Sequence, residues 1–298
     1  PNAPQLHEEI AGNQAFHWVV TGGDVEAAFA EAESNGIVIK ERILQQRLIP
    51  NAMETRAAVA QYNRASGELT LWNTTQNPHI VRFLCSVVTG IPEDKLRVIA
   101  PEVGGGFGSK IAVYPADFVT VFCAKTLGRP VKWTETRSEN YQATTHGRDH
   151  VQNVELAATK DGKITGLRCK VHAGMGAYIS TAAPGIPTIL HGLMLSGCYT
   201  VPAVREDVYG IYTNTVPVEA YRGAGRPEAI YFVERAMDIL ACELKMDPAE
   251  LRRKNFIQPE QFPFTTQMGS IYDSGDYEKV LDRALEKANW DELKSERD

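Results

Sequence analysis

Residues 103–110 read VGGGFGSK: three consecutive glycines, a phenylalanine, a fourth glycine, then Ser-Lys. Backbone this bare invites close approach of a ligand, because glycine carries no Cβ and tolerates positive φ. Two phosphate-binding templates can be tested by spacing. A Walker-type loop needs Gly, four residues, then Gly-Lys-Ser/Thr, whereas here Lys110 follows Ser109 and precedes Ile111. The dinucleotide fingerprint Gly-x-Gly-x-x-Gly ends on Ser109 when started at Gly104, and begins on Val103 when started one residue earlier. Both templates fail. A second glycine-rich stretch, EAYRGAGRPE (residues 219–228), runs straight into a helical pattern. Exposed N–H groups at helix N-termini and in bare loops attract anions, so two such loops sharing a cleft suit a large anionic cofactor. The alternative is that both loops are plain connectors.

Metal ligation by side chains has no comparable signal. The cysteines Cys85, Cys123, Cys169, Cys198 and Cys242 contain no C-x-x-C pair, which argues against an iron–sulfur or structural zinc site within this chain. An odd, scattered set fits buried thiols in a reducing cytoplasm. The histidines form no metal-spaced cluster. His79 after a Pro, and His146 and His150 flanking Arg148, read as local polar contacts rather than ligands.

The elements that must carry the loops can be read from caps and periodicity. Asp24 N-caps a short helix over DVEAAFAEA, and a strand-rich stretch, GIVIKERILQQRLI, follows. AAVAQY and LTLWNTT form a hairpin about the turn NRASGE. Pro78 opens a helix to about Val88, Leu96–Ala100 is a short strand entering the first loop, and Pro115 starts a helix that stops at Gly128. The same order then repeats. NVELAATKDGKITGLRCKV is a hairpin turning at Asp161-Gly162, an apolar stretch and the strand REDVYGIYT follow, and the second loop feeds a helix over Glu228–Leu244. Asp247, Pro248 and Glu250 start one more helix. Each half therefore predicts hairpin, helix, strand, glycine loop, helix: an α+β chain of two similar subdomains, mixed sheets with helices packed on one face.

With 298 residues the chain can bury one large core or two ordinary ones, and 43% hydrophobic and 23% charged residues suit a globular protein. The net charge of −6 argues against a nucleic-acid partner held through phosphates. No apolar run approaches bilayer length, so no membrane span is expected. The N-terminus PNAPQLHEEI lacks the basic start and apolar stretch of a secretory signal, and its missing Met means either Met removal before Pro1 or a piece of a longer chain.

Three motifs in order, TTQNPH (residues 74–79), GGGFGSK and EAYRGAGRPE, resemble the molybdenum-hydroxylase family, in its large molybdopterin-binding subunit of the xanthine dehydrogenase and aerobic carbon-monoxide dehydrogenase type. The resemblance covers roughly residues 30–275. It implies a molybdenum–molybdopterin cofactor, possible also in a cytosine dinucleotide form, whose metal needs no protein ligand. It implies that Gln76 donates its amide to a molybdenum oxo group, that Gly105, Gly106 and Gly108 let the backbone approach, and that Phe107 shapes the substrate pocket. Ala220, Tyr221, Arg222, Gly223, Ala224 and Arg226 would form the opposite wall, with Gln76, Phe107 and Arg222 closest to the chemistry. The implied reaction is hydroxylation with oxygen from water. Electrons would leave through an iron–sulfur small subunit to an FAD-binding medium subunit, all in the cytoplasm. The implied organisation is a lead-in over 1–33, a subdomain over 34–145 with the GGGFG loop, a second over 146–275 with the AYRGAGR loop, and 276–298 as the start of a truncated C-terminal half.

Side-chain chemistry separates branches of that family. Its purine hydroxylases carry an acid directly after the Lys of the glycine loop and an Arg eight residues before a C-Y-x-[IV]-P segment; here these positions are Ile111 and Leu190, which cannot hydrogen-bond a purine edge. Carbon-monoxide dehydrogenases proper have a copper-binding Cys where this chain has Gly223, so the chain resembles the form II group. An aldehyde or N-heterocycle fits the general chemistry. The family's general base lies far downstream of AYRGAGR. Glu278 is better explained by helix capping, so the chain alone is expected to be inactive, with Glu102, Glu219 and Glu228 as the only substitutes to consider. A truncated, non-catalytic homologue or cofactor-binding module is the competing reading.

Overall fold

Caps and prolines set where the elements of the computed structural model begin and end; it describes residues 3–297, and Pro1, Asn2 and Asp298 lie outside the described residues. The chain opens with β1 (Gln14–Gly22), α1 (Val25–Asn35) and β2 (Ile37–Gln45). The hairpin β3 (Ala57–Tyr62) and β4 (Leu69–Asn73) leads to α2 (Pro78–Thr89), β5 (Leu96–Ile99), the first glycine loop, α3 (Pro115–Leu127), β6 (Val131–Thr134) and α4 (Arg137–Ala143). A longer hairpin, β7 (His150–Ala158) and β8 (Ile164–Gly176), precedes the short α5 (Ile189–Gly192), β9 (Val204–Tyr212), the second glycine loop and α6 (Arg226–Leu244). The chain then forms α7 (Pro248–Asn255), the ribbon β10 (Phe264–Thr265) and β11 (Ile271–Tyr272), α8 (Tyr277–Lys287) and α9 (Trp290–Arg297). Asp24, Asp247 and Asp276 each accept N–H groups of the first turn they cap, and α2, α3 and α6 end on Gly90, Gly128 and Lys245 in the left-handed region.

The repeated order seen in the sequence is a repeated topology. In the four-stranded sheet, β5-β4-β3-β6, the hairpin β3–β4 is extended by β5 running parallel to β4. In the five-stranded sheet, β1-β9-β8-β7-β2, the hairpin β7–β8 is extended by β9 running parallel to β8. Each glycine loop leaves the C-terminal end of its added parallel strand, where open sheets expose backbone to ligands.

Sheet membership crosses the boundaries expected from the pattern. Residues 14–22, expected in a lead-in, form β1, which pairs with β9 through registers such as Trp18↔Val208. Residues 37–45, expected with the first loop, form β2, which pairs with β7 through Ile39↔Leu156. Both are sheet edges, which accept a strand from any part of the chain, and β1 is at most half-buried, so its alternation is faint. Helices α2 and α3 bury Val81, Cys85, Val121 and Ala124 against one face of the four-stranded sheet. Helix α6 buries Phe232, Met237 and Leu240 against the five-stranded sheet, at roughly 1.5–3 kcal/mol per side chain. On that sheet α1 also covers part of the opposite face, through Phe29 against Val38 and Ala157. Among the described residues no helix is long and apolar enough to cross a membrane.

Candidate functional site: two glycine loops in contact

The first loop is folded back on itself by residues that only bare backbone permits. Gly105 and Gly108 adopt φ of 93° and 109°, and Phe107 between them sits at 52°. Ser109 donates through both its N–H and its hydroxyl to the Gly106 carbonyl, each at 3.0 Å. Glu54 brackets the loop: one carboxylate oxygen accepts the Gly104 N–H at 2.8 Å and the buried Lys110 ammonium at 2.7 Å. Gln76, just ahead of α2, is docked through its own N–H to the Lys110 carbonyl at 2.8 Å, and its Oε1 accepts the Gly108 N–H at 3.0 Å. That bond settles which end of the amide is which, since an N–H must face an acceptor. The donor end, Nε2, has no partner among the described residues. A Cβ at Gly106 would occupy the space of the Gln76 amide.

The second loop lies directly against the first. Arg222 donates its N–H to the Phe107 carbonyl at 2.9 Å, and its guanidinium carbon stands 4.3 Å from the Phe107 ring centroid. A Cβ at Gly108 would collide with the Ala220 carbonyl. Gly223, Ala224 and Gly225 take φ of 92°, 46° and 89°, closing a turn in which Ala224 N–H donates to Tyr221 and Arg226 N–H to Gly223. The backbone N–H groups of Gly106, Phe107 and Gly223 have no hydrogen-bond partner among the described residues. Phe107, at 36% exposure, is a large apolar ring left facing outward among them.

The sequence-predicted residues are therefore gathered: Gln76, Gly105, Gly106, Phe107 and Gly108 on one side, and Ala220, Tyr221, Arg222, Gly223, Ala224 and Arg226 on the other. Three supporting residues were not anticipated. Glu54 and Lys110 grip the first loop, and Arg148 donates to the carbonyls of Tyr221 and Arg222 at 2.7 and 3.0 Å. The only hint was the polar run THGRDH. Neither buried glutamate of the second loop is free: Glu219 accepts from the N–H groups of Ala182 and Ala220, and Glu228 pairs with Arg148. Glu102 is exposed. Glu278 lies in the first turn of α8 against Arg253, while the cap of that helix is Asp276, not Glu278.

The histidine and cysteine expectations need correction. His146 and His150 are buried, yet no ring nitrogen of His146, nor Nδ1 of His150, has a side-chain hydrogen bond. Burial, with His191 and Arg148 nearby, pushes the His150 imidazole down to about 3, so it is neutral filling rather than a polar contact. Cys242 is exposed, whereas Cys85 and Cys169 are buried; burial and the neighbouring Asp117 push the Cys85 thiol up to about 12. Among the described residues no group of three His, Cys, Asp or Glu side chains could hold a metal ion. A charged hollow lined by residues including Glu155, Arg168, Arg205 and Asp207 lies apart from both loops, and its charges are paired with one another.

Open N–H donors, an open amide and two strands of bare backbone fit a polyanionic group with oxygen ligands better than a metal held by side chains. Comparison with known proteins agrees. The family described as the molybdopterin cofactor-binding domain matches residues 6–256. The carbon monoxide dehydrogenase large chain of Hydrogenophaga pseudoflava is 41% identical over 99% of this chain and 38% of its own length. Among solved structures, a Cu,Mo-CO dehydrogenase in the carbon monoxide reduced state superposes with a TM-score of 0.91 at 39% identity, over 99% of this chain and 39% of that one. Quinoline 2-oxidoreductase from Pseudomonas putida 86 superposes with a TM-score of 0.92 at 32% identity, over 99% of this chain and 37% of that one. The chain thus spans about two fifths of the length of that carbon monoxide dehydrogenase large chain.

Proposed function

The chain belongs to the molybdopterin cofactor-binding domain family, and on that premise we propose that its two loops form one wall of the cofactor site of a molybdenum hydroxylase. The observation that carries the reading is the contact between the loops: the Arg222 N–H bound to the Phe107 carbonyl sets the loop with the unpartnered Gly223 N–H against the loop with the unpartnered Gly106 and Phe107 N–H groups, which Gln76 braces through Gly108 while its Nε2 stays free. When bound, the molybdenum group supplies a two-electron oxidation of substrate, with oxygen taken from water. The chain's own part is to bind and orient. Gln76 would donate through Nε2 to an oxygen of the cofactor, its other end already held by Gly108, so little reorganisation is needed. Gly105, Gly106 and Gly108, with Gly223 and Ala224 opposite, present backbone without side chains in the way. Tyr221, Ala220 and Arg226 shape the turn. Phe107, with the Arg222 guanidinium over its ring, screens the approach from water and sets the width of the substrate pocket.

The substrate would be a small molecule with an activated carbon, an aldehyde or N-heterocycle. Ile111 and Leu190, both half-buried, offer no hydrogen bond to a purine edge. The remainder of the large subunit, an iron–sulfur small subunit and an FAD-binding medium subunit would complete a cytoplasmic complex, with the cofactor as the plain or the cytosine dinucleotide form. A second reading, a homologue that holds the cofactor without turnover, is favoured by one observation: Glu219 and Glu228 are both engaged and leave no free carboxylate in the second loop to act as a base. Metal analysis of the complex purified from its native host tests the first reading. About one molybdenum per chain, with oxidation of aldehydes or heterocycles by an artificial acceptor, is expected. Molybdenum without turnover would favour the second reading, and absence of molybdenum would overturn both.

A further inference from the structure

The stretch THGRDH, residues 145–150, is the connection by which the chain passes from the four-stranded to the five-stranded sheet, between α4 and β7. It is tied to the first loop through Tyr114 and lies directly against the second. The Tyr114 hydroxyl donates to the Ser109 carbonyl of the first loop at 2.5 Å and accepts the Thr145 N–H at 3.2 Å. His146 then runs beside the second loop, its N–H donating to Pro217 at 3.0 Å and its carbonyl accepting the Glu219 N–H at 2.7 Å. Gly147 has no room for a Cβ beside Tyr221. Arg148 and Asp149 follow at φ of 69° and 68°, two successive non-glycine residues in the left-handed region. Such backbone persists only where its surroundings hold it, and it recurs at functional sites.

The strained turn aims the Arg148 guanidinium. Nη1 donates to the Tyr221 carbonyl at 2.7 Å and Nη2 to the Arg222 carbonyl at 3.0 Å. Fully buried Glu228 holds the same guanidinium through both carboxylate oxygens, at 3.2 and 3.1 Å. In a trans peptide the C=O and N–H point to opposite sides. With the Tyr221 carbonyl held, the Arg222 N–H of the same peptide faces the Phe107 carbonyl, which it binds. With the Arg222 carbonyl held, the Gly223 N–H of the next peptide is turned away from Arg148 and left free.

We infer that Arg148 is a positioning residue: one guanidinium fork fixes two consecutive peptide planes, and so decides that the Gly223 N–H faces the cofactor wall while the Arg222 N–H ties the two loops together. The inference rests on the cofactor reading above. It also explains why Arg rather than Lys stands here, because a point-charge ammonium cannot span two carbonyls and a carboxylate in fixed geometry.

The test compares the complete complex as wild type, Arg148→Gln, Arg148→Lys and Glu228→Gln, by amide hydrogen exchange and by molybdenum content with the Mo(V) resonance signal. In Arg148→Gln and Arg148→Lys, exchange at Arg222 and Ala224 rises about tenfold or more while the α6 interior, Phe232 to Leu240, keeps its wild-type rate. Molybdenum retention falls, the resonance signal of any retained metal shifts, and Lys does not rescue. Glu228→Gln, which keeps the fork but loses the charge partner, gives a smaller change in the same direction. Exchange at Arg222 and Ala224 equal to wild type, a matching rise throughout α6, or full rescue by Lys would each overturn the inference. A wild-type complex without molybdenum would refute the cofactor reading instead, and the exchange rates would still decide whether Arg148 holds the loop.

Discussion

Replacing Gly108 with Ala tests the contact between the loops. Gly108 has φ of 109°, and a Cβ there would overlap the Ala220 carbonyl oxygen, approach its carbon at 2.6 Å and the Tyr221 nitrogen at 3.0 Å. All three are backbone atoms, so none can swing aside as a flexible side chain would. The backbone conformation costs a non-glycine residue about 1–3 kcal/mol. Overpacking against an immovable neighbour adds about 1–3 kcal/mol, giving a loss of roughly 2–6 kcal/mol. Gly67, in the turn between β3 and β4, supplies the control: its φ is 73°, but no atom lies within 4 Å of the added Cβ. Gly67→Ala therefore carries only the conformational cost, about 1–2 kcal/mol. Urea unfolding followed by circular dichroism, with unchanged m, measures both. The expected excess of Gly108→Ala over Gly67→Ala is at least the steric part, about 1–3 kcal/mol. Equal losses would mean that the Ala220 carbonyl does not stand over Gly108, and the paired-loop site would fall with that result.

Three further outcomes are expected. Burial pushes His150 down to about 3 in the folded chain, against about 6.5 unfolded, so the unfolded state binds more protons between those values and stability falls as pH drops from 6.5 toward 3. His150→Gln should make that acid limb shallower by about one proton, and identical urea-midpoint profiles would contradict it. Burial alone would raise Glu135, but hydrogen bonds from Arg56 and Asn140 prevail and hold it below the usual carboxylate range. With the Arg56 and Glu135 side chains at 8% and 0% exposure, Arg56→Met should cost about 3–5 kcal/mol, and Arg56→Met with Glu135→Leu should recover much of it; a single variant as stable as wild type would refute the pairing. Copper in the molybdenum-loaded complex should be far below stoichiometric, because Gly223 offers no sulfur, and one copper per molybdenum by elemental analysis would refute this.

What the sequence determined by itself is local. Asp24 and Asp247 cap helices through N–H groups two or three residues away, Asp161-Gly162 turns a hairpin, and prolines open α2, α3 and α7. Each of these devices acts within a few residues, so a linear reading captures it. The two bare loops were legible for the same reason, as were the failures of both phosphate templates. Tertiary structure alone decided that β1 and β2 join the sheet of the second loop, since an edge strand's partner is chosen by packing and β1 shows only a half-buried face. It alone decided that Gly108 meets Ala220 and that Arg148 reaches carbonyls 73 and 74 residues onward. A guanidinium carries no mark in the sequence of which carbonyl it will hold. That choice belongs to the folded chain, where the strained turn at Arg148 and the buried charge of Glu228 leave it one place to go.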